Sequence, residues 1–492
     1  MNNNSKKYAE LRERYPEFLY EAFHHEWTAE GLRLWFDFRM GDVVFHPEAL
    51  IEARPFLSRD VPSPVLDRMV FDIGMIELIS YWKCACPPTV KVLCGALTDE
   101  QTAFWRKLYW NGLGEFFYTN GIAESPEAFL RVESGERRVE NGERRTESGE
   151  WRVENGEWRT ENKTSQNGGS LFSTLHSPLS TPHSPLSTSY LVPIGGGKDS
   201  VVTLELLRRA GKAIRPLIMN PRGATRECAR VAGFPLEEVL VIRRKIDPTL
   251  LDLNVKGYLN GHTPFSAMLA FYTRLASALS GIPNVALSNE SSANESTVLG
   301  TSVNHQYSKS LEFEDDFRNY VNEAASFNYF SFLRPLSELQ IAMLFSRFTA
   351  YHDVFRSCNV GSKEDIWCGH CAKCLFAYII LSPFIAPERL NAIFGKSMLD
   401  DTTLALEFRQ LLGLAETKPF ECVGTVSEVR QALQMATERW YRGKAPKLVE
   451  LEKLEKLEKL EKLVQLAQLA PISNLTEEER QILQQACTEK NN

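Results

Sequence analysis

A regular alternation of short apolar runs with helix-patterned stretches, starting at residue 190, constrains this chain more than any other feature. YLVPI (190–194) is followed by GGGKDS (195–200) and then by the helix-like SVVTLELLRRAG (200–211). AIRPLIM (213–219), a helical stretch over 226–232, VLVI (239–242), a helix over about 264–280 and NVALSN (284–289) continue the pattern. Apolar runs this short, bounded by turn residues, read as buried strands, and strand–helix–strand at this spacing argues a parallel sheet with right-handed crossovers. The expectation is therefore an α/β fold whose ligand lies at the carboxyl ends of the strands.

The loop after the first strand is Gly195, Gly196, Gly197, Lys198, Asp199 and Ser200. Three glycines let the backbone turn tightly and point N–H groups at an anion, at the positive end of the following helix. The G-x-x-x-x-G-K-[ST] spacing of a Walker loop is absent, and a dinucleotide fingerprint would need glycine where Ser200 stands. A plain tight turn capped by Asp199 or Ser200 is the alternative. A carboxylate in an anion loop repels phosphate unless Mg²⁺ bridges them or the carboxylate caps the helix. Glu290 and Glu295, in SNESSANES directly after Asn289, fall at the expected sheet edge and are read as Mg²⁺ or substrate contacts, with a solvated loop as the alternative.

Cys358, Cys368, Cys371 and Cys374 stand in CNVGSKEDIWCGHCAKC. Two consecutive C-x-x-C steps put three thiolates on one knuckle and Cys358 can return as the fourth corner, a Zn²⁺–Cys₄ pattern. Four sulfurs leave no open position, so the zinc is expected to be structural; an iron–sulfur cluster is the minor alternative, and His370 is read as a spacer. Cys84, Cys86 and Cys94 supply only three thiols and read as buried small residues.

Two stretches are set apart by composition. Residues 131–162 repeat every seven positions (RVESGER, RVENGER, RTESGEW), and a Ser/Thr/Pro/His repeat follows at 174–187. Neither buries enough apolar surface to offset chain entropy, so 124–188 is expected to be a disordered linker. The tail, 446–492, carries leucines every third residue in LEK triplets; such spacing spirals around a helix, which predicts an exposed or loosely docked helix. What remains divides into an N-terminal α+β domain at 1–123 and the loop-bearing domain at 189–445. Net charge is −7, which disfavours nucleic acid or a polybasic membrane contact. MNNNSKKYAELRERYPE has no apolar signal region, and the longest uncharged apolar run, 375–387, is too short to span a bilayer; a cytoplasmic, reducing environment is expected.

PIGGGKDS, on this strand and helix, resembles the SGGxDS motif of the PP-loop ATP pyrophosphatases, which split ATP to AMP and pyrophosphate with the loop on the pyrophosphate. Gly195 stands where that motif usually has Ser, so one hydroxyl contact is lost. A cysteine cluster like this one also sits behind the PP-loop in the deazaguanine nitrile synthases. Outside the linker and tail the chain resembles the UDP-N-acetyl-alpha-D-muramoyl-L-alanyl-L-glutamate epimerase family. FDIGMIELISYWK (71–83), FWRKLYWNGLGEFFYTNGI (104–122), SNESSANE (288–295), VNHQYSKSLEFE (303–314), the cysteine cluster and PFECVGT (419–425) carry that likeness.

The resemblance implies ATP with Mg²⁺ as cofactors and the UDP-MurNAc-L-Ala-L-Glu dipeptide as substrate. A carboxylate beside Cα opposes carbanion formation; converting it to an acyl-adenylate removes the charge and makes Cα–H removable. A base then takes the proton, reprotonation on the other face gives D-Glu, and hydrolysis releases AMP. His305 and Lys309 are the first choices for the base and Cys422 the third. Lys309, Arg222 and Arg226 are alternative partners for phosphate or substrate carboxylate. Lys83 and Glu115 are candidate substrate contacts, whereas Trp82, Trp105, Trp110, Phe116 and Phe117 read as core aromatics. Other readings are a PP-loop enzyme that amidates, forms a nitrile or thiolates tRNA, and a zinc-stabilised nucleotide-binding module without catalysis. Oligomeric state is not legible.

Overall fold

The computed structural model describes residues 3–135, 188–294, 304, 306–323, 326–421, 423–452, 466–471 and 473–489. Its strands in chain order are β1 (Glu17–Trp27), β2 (Gly31–Met40), β3 (Val43–Phe45), β4 (Glu48–Glu52), β5 (Thr89–Val92) and β6 (Arg131–Ser134), then β7 (Tyr190–Pro193), β8 (Ile214–Met219), β9 (Leu240–Lys245), β10 (Asn284–Leu287) and β11 (Asn328–Ser331). They form one mixed sheet in the order β11-β10-β7-β8-β9-β4-β2-β1-β5-β6, with β3 paired to β2. The β11 to β9 section is wholly parallel. The alternation from residue 190 onward predicted four of those five strands; β11, in the polar context SFNYFSF, gave no such signal.

Parallel strands covered on both faces must be apolar on both faces. Leu191, Leu217, Leu240, Ile242, Val285 and Leu287 enter one core, with the helices Ser63–Trp82 and Phe265–Ser280. Tyr190, Val192, Ile218, Val241, Ala286 and Phe330 enter the other, with Lys198–Arg209, Glu338–Ser346 and Ala372–Leu381. This is the two-residue period of a strand sorting its side chains between two layers.

The expected separate N-terminal α+β body instead shares its sheet with the glycine-loop half. β4 pairs antiparallel with β9, Ile51 opposite Ile242 and Glu48 opposite Lys245. Two buried ion pairs cross the same junction. Glu77 accepts from Arg244 Nε and Nη2 at 2.6 and 2.7 Å, and Asp72 accepts from Arg274 at 2.7 Å. Both acids lie on the almost wholly buried helix Ser63–Trp82 and would be costly there without their partners.

The linker begins later than its composition predicts. Phe129 and Leu130 are buried, and residues 131–134 form β6, an edge strand parallel to β5. An edge strand asks for backbone partners and one half-buried face, which RVES supplies; the remainder of the repeats lies outside the described residues. The tail is also more integrated than expected. Helix Glu477–Thr488 buries Leu483, Ala486 and Cys487, and Glu479 accepts from the Tyr190 hydroxyl at 3.0 Å. Most of the LEK triplets lie outside the described residues. Of the aromatics read as core, Trp82, Trp105, Phe116 and Phe117 are buried and Trp110 is partly so. Among the described residues no helix is long and apolar enough to cross a membrane.

Candidate active site

β7 is the first strand of the parallel section, and the chain goes on to β8 and β9 on one side of it and to β10 and β11 on the other. The crossovers therefore leave in opposite directions and open a crevice at the carboxyl end of β7. A cleft of about 350 Å³ lies there, lined by Pro193, Gly195, Met219, Leu287 and Asn289 among others.

The glycine loop forms its floor. Gly195, Gly197, Asp199 and Ser200 line the cleft. Gly196 has φ +83°, and a Cβ there would stand 3.0 Å from Ala224 Cβ and 3.1 Å from Thr225 N, so glycine is required. Gly197 precedes helix Lys198–Arg209 in extended conformation, and no side chain caps that helix end. Its first-turn N–H groups and the positive end of its dipole thus face the cleft, the arrangement that binds anions.

Lys198 turns the other way. It is buried, and its ammonium donates to Asp199 and Glu338. Burial opposes ionisation of Asp199, but Lys198, with Lys373 and Lys309 adding to it, outweighs burial and holds its pKa below the ordinary carboxylate range. Burial pushes Glu338 up to about 8 against the pull of Lys198, with Asp199 and Glu290 pushing the same way. The Glu338 backbone N–H donates to Glu428 Oε1 at 2.7 Å, and Glu428 Oε2 accepts from Thr425 N at 2.9 Å. A chain of contacts therefore runs from the loop to Thr425 in the PFECVGT motif.

The walls carry the other candidates. Asn289 lines the cleft and donates to Ser331 Oγ at 3.0 Å. Glu290, next to Asn289, does not itself line the cleft; it is buried and accepts from Ser292 Oγ at 2.6 Å. Lys309, in the short turn Tyr307–Lys309, lines the cleft as well. Buried Arg334 braces both segments: it donates to the carbonyls of Glu290 (2.8 Å) and Lys309 (2.6 Å) and pairs with Glu314 at 3.2 Å. Glu295, His305 and Cys422 lie outside the described residues. Gln306 and Val423, next to the latter two in sequence, are joined by a 3.3 Å hydrogen bond, so the HQYSK and PFECVGT motifs meet.

Arg222, Arg356 and Lys373 also line the cleft, and Arg226 does not. Sequence reasoning passed over Arg356 and Lys373; their only signal was position, beside and inside the cysteine motif. Lys83 and Glu115 both reach the loop ahead of helix Phe265–Ser280. The Lys83 ammonium donates to Thr263 Oγ1 at 2.6 Å and to the Gly261 carbonyl, and Glu115 lies 3.6 Å from the His262 ring. Burial, helped by the charge of Arg244, lowers the Lys83 pKa to about 8. Phe265 and Ser266, just beyond, line the cleft.

The four cysteines converge beside it. Sγ–Sγ distances are 3.8 Å for Cys358–Cys371, 3.7 Å for Cys368–Cys374 and 3.5 Å for Cys371–Cys374. A tetrahedral site with metal–sulfur bonds of about 2.3 Å has edges of about 3.8 Å, so these residues could hold a zinc ion. Cys358 itself lines the cleft. Among the described residues, Cys84, Cys86 and Cys94 form no such group.

Two family models match the sequence: the MurL N-terminal domain over residues 9–332 and the MurL C-terminal domain over 354–465. The chain belongs to the MurL family. It is 34% identical to a Salinispora tropica protein over 82% of this chain and 83% of the relative. It is 33% identical to a Xanthomonas oryzae pv. oryzae protein, covering 79% of each chain, and 33% identical to a Micromonospora protein, covering 77% of each. All three relatives are named UDP-N-acetyl-alpha-D-muramoyl-L-alanyl-L-glutamate epimerase. The MurL N-terminal match takes in all eleven strands of the described residues, and the C-terminal match takes in the four clustered cysteines and PFECVGT. The cleft is lined from both matched regions, with Gly195 to Lys309 on one side and Arg356 to Lys373 on the other.

Proposed function

We propose that this chain is an ATP-dependent epimerase that converts the terminal L-Glu of UDP-MurNAc-L-Ala-L-Glu to D-Glu during peptidoglycan precursor synthesis. The observation that carries the reading is an uncapped helix end on a glycine loop, opening into a cationic cleft, in a MurL-family chain whose relatives bear that epimerase's name.

In this reading the cleft is a PP-loop site: the backbone of Gly195–Ser200 holds the pyrophosphate portion of ATP. Asp199, kept ionised by Lys198, with Asn289 in the same cleft and Glu290 and Glu295 following it in the sequence, would hold Mg²⁺, which would supply charge neutralisation on the phosphates. The substrate carboxylate attacks the α-phosphorus and pyrophosphate leaves, giving the acyl-adenylate. A base removes the Cα proton, a proton is returned to the opposite face, and water cleaves the mixed anhydride to the D-Glu product and AMP. Lys309, on the cleft wall, is the described candidate base; His305 and Cys422 complete the set. Cys358, Cys368, Cys371 and Cys374 would hold a structural zinc that fixes the cleft's second wall.

The test is incubation with Mg·ATP and UDP-MurNAc-L-Ala-L-Glu in D₂O, following pyrophosphate and the mass and chirality of the terminal glutamate. D-Glu deuterated at Cα with stoichiometric pyrophosphate is the expected result. ATP binding without turnover of this dipeptide would move the assignment to another adenylating reaction.

A further inference from the structure

The lysine inside the glycine loop does not face the cleft. Lys198 is buried and neutralised between Asp199 and Glu338, so the loop contributes backbone donors and a carboxylate to the cleft but no cation of its own. A bound polyphosphate beside Asp199 carries more negative charge than one Mg²⁺ offsets, so side-chain cations from elsewhere are needed.

Besides Arg222 and Lys309, the opposite wall supplies them. Residues 356–373 are pressed against the loop: Arg356 N donates to the Gly196 carbonyl at 2.8 Å, and a Cβ on Gly197 would stand 3.3 Å from Ser357 Cβ. Ser357, Asn359, Ser362 and Lys373 from this wall line the same cleft as Gly195 and Asp199. Lys373 sits between Cys371 and Cys374, at the start of helix Ala372–Leu381. Both flanking cysteines are buried, while Lys373 is half-buried with its ammonium 5.3 Å from the Phe376 ring centre. Among the described residues it has no carboxylate within ion-pair distance, unlike Lys198. The converging cysteines hold the backbone on both sides of Lys373, and the Phe376 ring packs near its ammonium, which limits where the charge can go.

We infer that Lys373 is a polyphosphate-contacting residue, and that the cysteine knuckle acts as a wall of the nucleotide site by presenting it. The inference rests on the reading of the cleft as an ATP site and deepens it.

Equilibrium binding of two probes tests it: Mg·ATP with a methylene bridge between the α and β phosphorus atoms, and AMP. K373Q should weaken binding of the ATP analogue ten-fold or more, the usual worth of a charge-assisted contact to phosphate, and change AMP binding less than two-fold. Metal content should match wild type, and K373R should restore most of the affinity. Unchanged binding of the analogue to K373Q overturns the inference, as does an equal loss of AMP binding. A loss that K373R does not restore also overturns it, because it marks the shape of the knuckle rather than its charge. Wild-type protein that fails to bind the analogue at all overturns both the inference and the ATP-site reading beneath it.

Discussion

Removing the Arg334 guanidinium should destabilise the protein through its partner more than through its own lost contacts. Arg334 and Glu314 are each only 2% exposed and pair at 3.2 Å. R334M would leave the Glu314 carboxylate buried without a counter-charge, at a cost of about 3–5 kcal/mol for a broken buried pair. It would also strip a donor from the carbonyls of Glu290 and Lys309, the two segments that flank the cleft. E314Q removes the stranded charge and keeps an acceptor for the Ser331 N–H, now bonded at 3.1 Å. The double variant should therefore cost less than the two single changes added, with a coupling of about 1–3 kcal/mol. Urea unfolding of the four proteins measures this, provided the denaturant slope is unchanged. Hydrogen exchange at residues 288–290 and 307–310 should rise in R334M, because local opening no longer breaks the brace. Costs that add to within about 0.5 kcal/mol would refute the reasoning and make Arg334 an ordinary packed side chain.

Four further outcomes follow from the geometry. At the glycine loop, G195S should fold as well as wild type and bind nucleotide more tightly, since nothing stands within 4 Å of a Cβ there and the hydroxyl adds a phosphate donor. G196A should lose nucleotide affinity and about 1–2 kcal/mol of stability, read by titration and urea midpoint, because its φ of +83° is left-handed. Lys83 gives a pH signal: its pKa is lowered from 10.5 to about 8, so above pH 8 the folded chain releases a proton that the unfolded chain still holds. Stability of wild type relative to K83M should thus rise with pH between about 8 and 10.5, by up to about 1.4 kcal/mol per pH unit; a flat difference would show that Lys83 stays charged. A chain ending at residue 465 would lose the buried Leu483, the Glu479–Tyr190 bond and the 2.8 Å bond from Asn474 to Glu314. It should unfold at lower urea by about 3 kcal/mol or more, and an unchanged midpoint would show the tail to be dispensable.

Features set by neighbours in sequence were readable directly. A strand, a glycine turn and a helix start within one short stretch fix the loop at 195–200, and ligand spacing of a few residues fixes the cysteine knuckle, because both depend on local backbone reach. The buried acids Asp72 and Glu77 were hidden in an apolar helix, since their partners Arg274 and Arg244 lie far along the chain. The β4–β9 pairing that merges the two halves, the strand formed by the first repeat, and the docking of helix Glu477–Thr488 likewise rest on long-range contacts. Side-chain direction was the last thing decided. Lys198 and Lys373 are both lysines in motifs, yet one is drawn inward by the distant Glu338 and the other is left facing the cleft. Sequence determined which groups could bind an anion and a metal; tertiary structure decided which of them share one cavity, because burial and ion pairing join residues that the chain keeps apart.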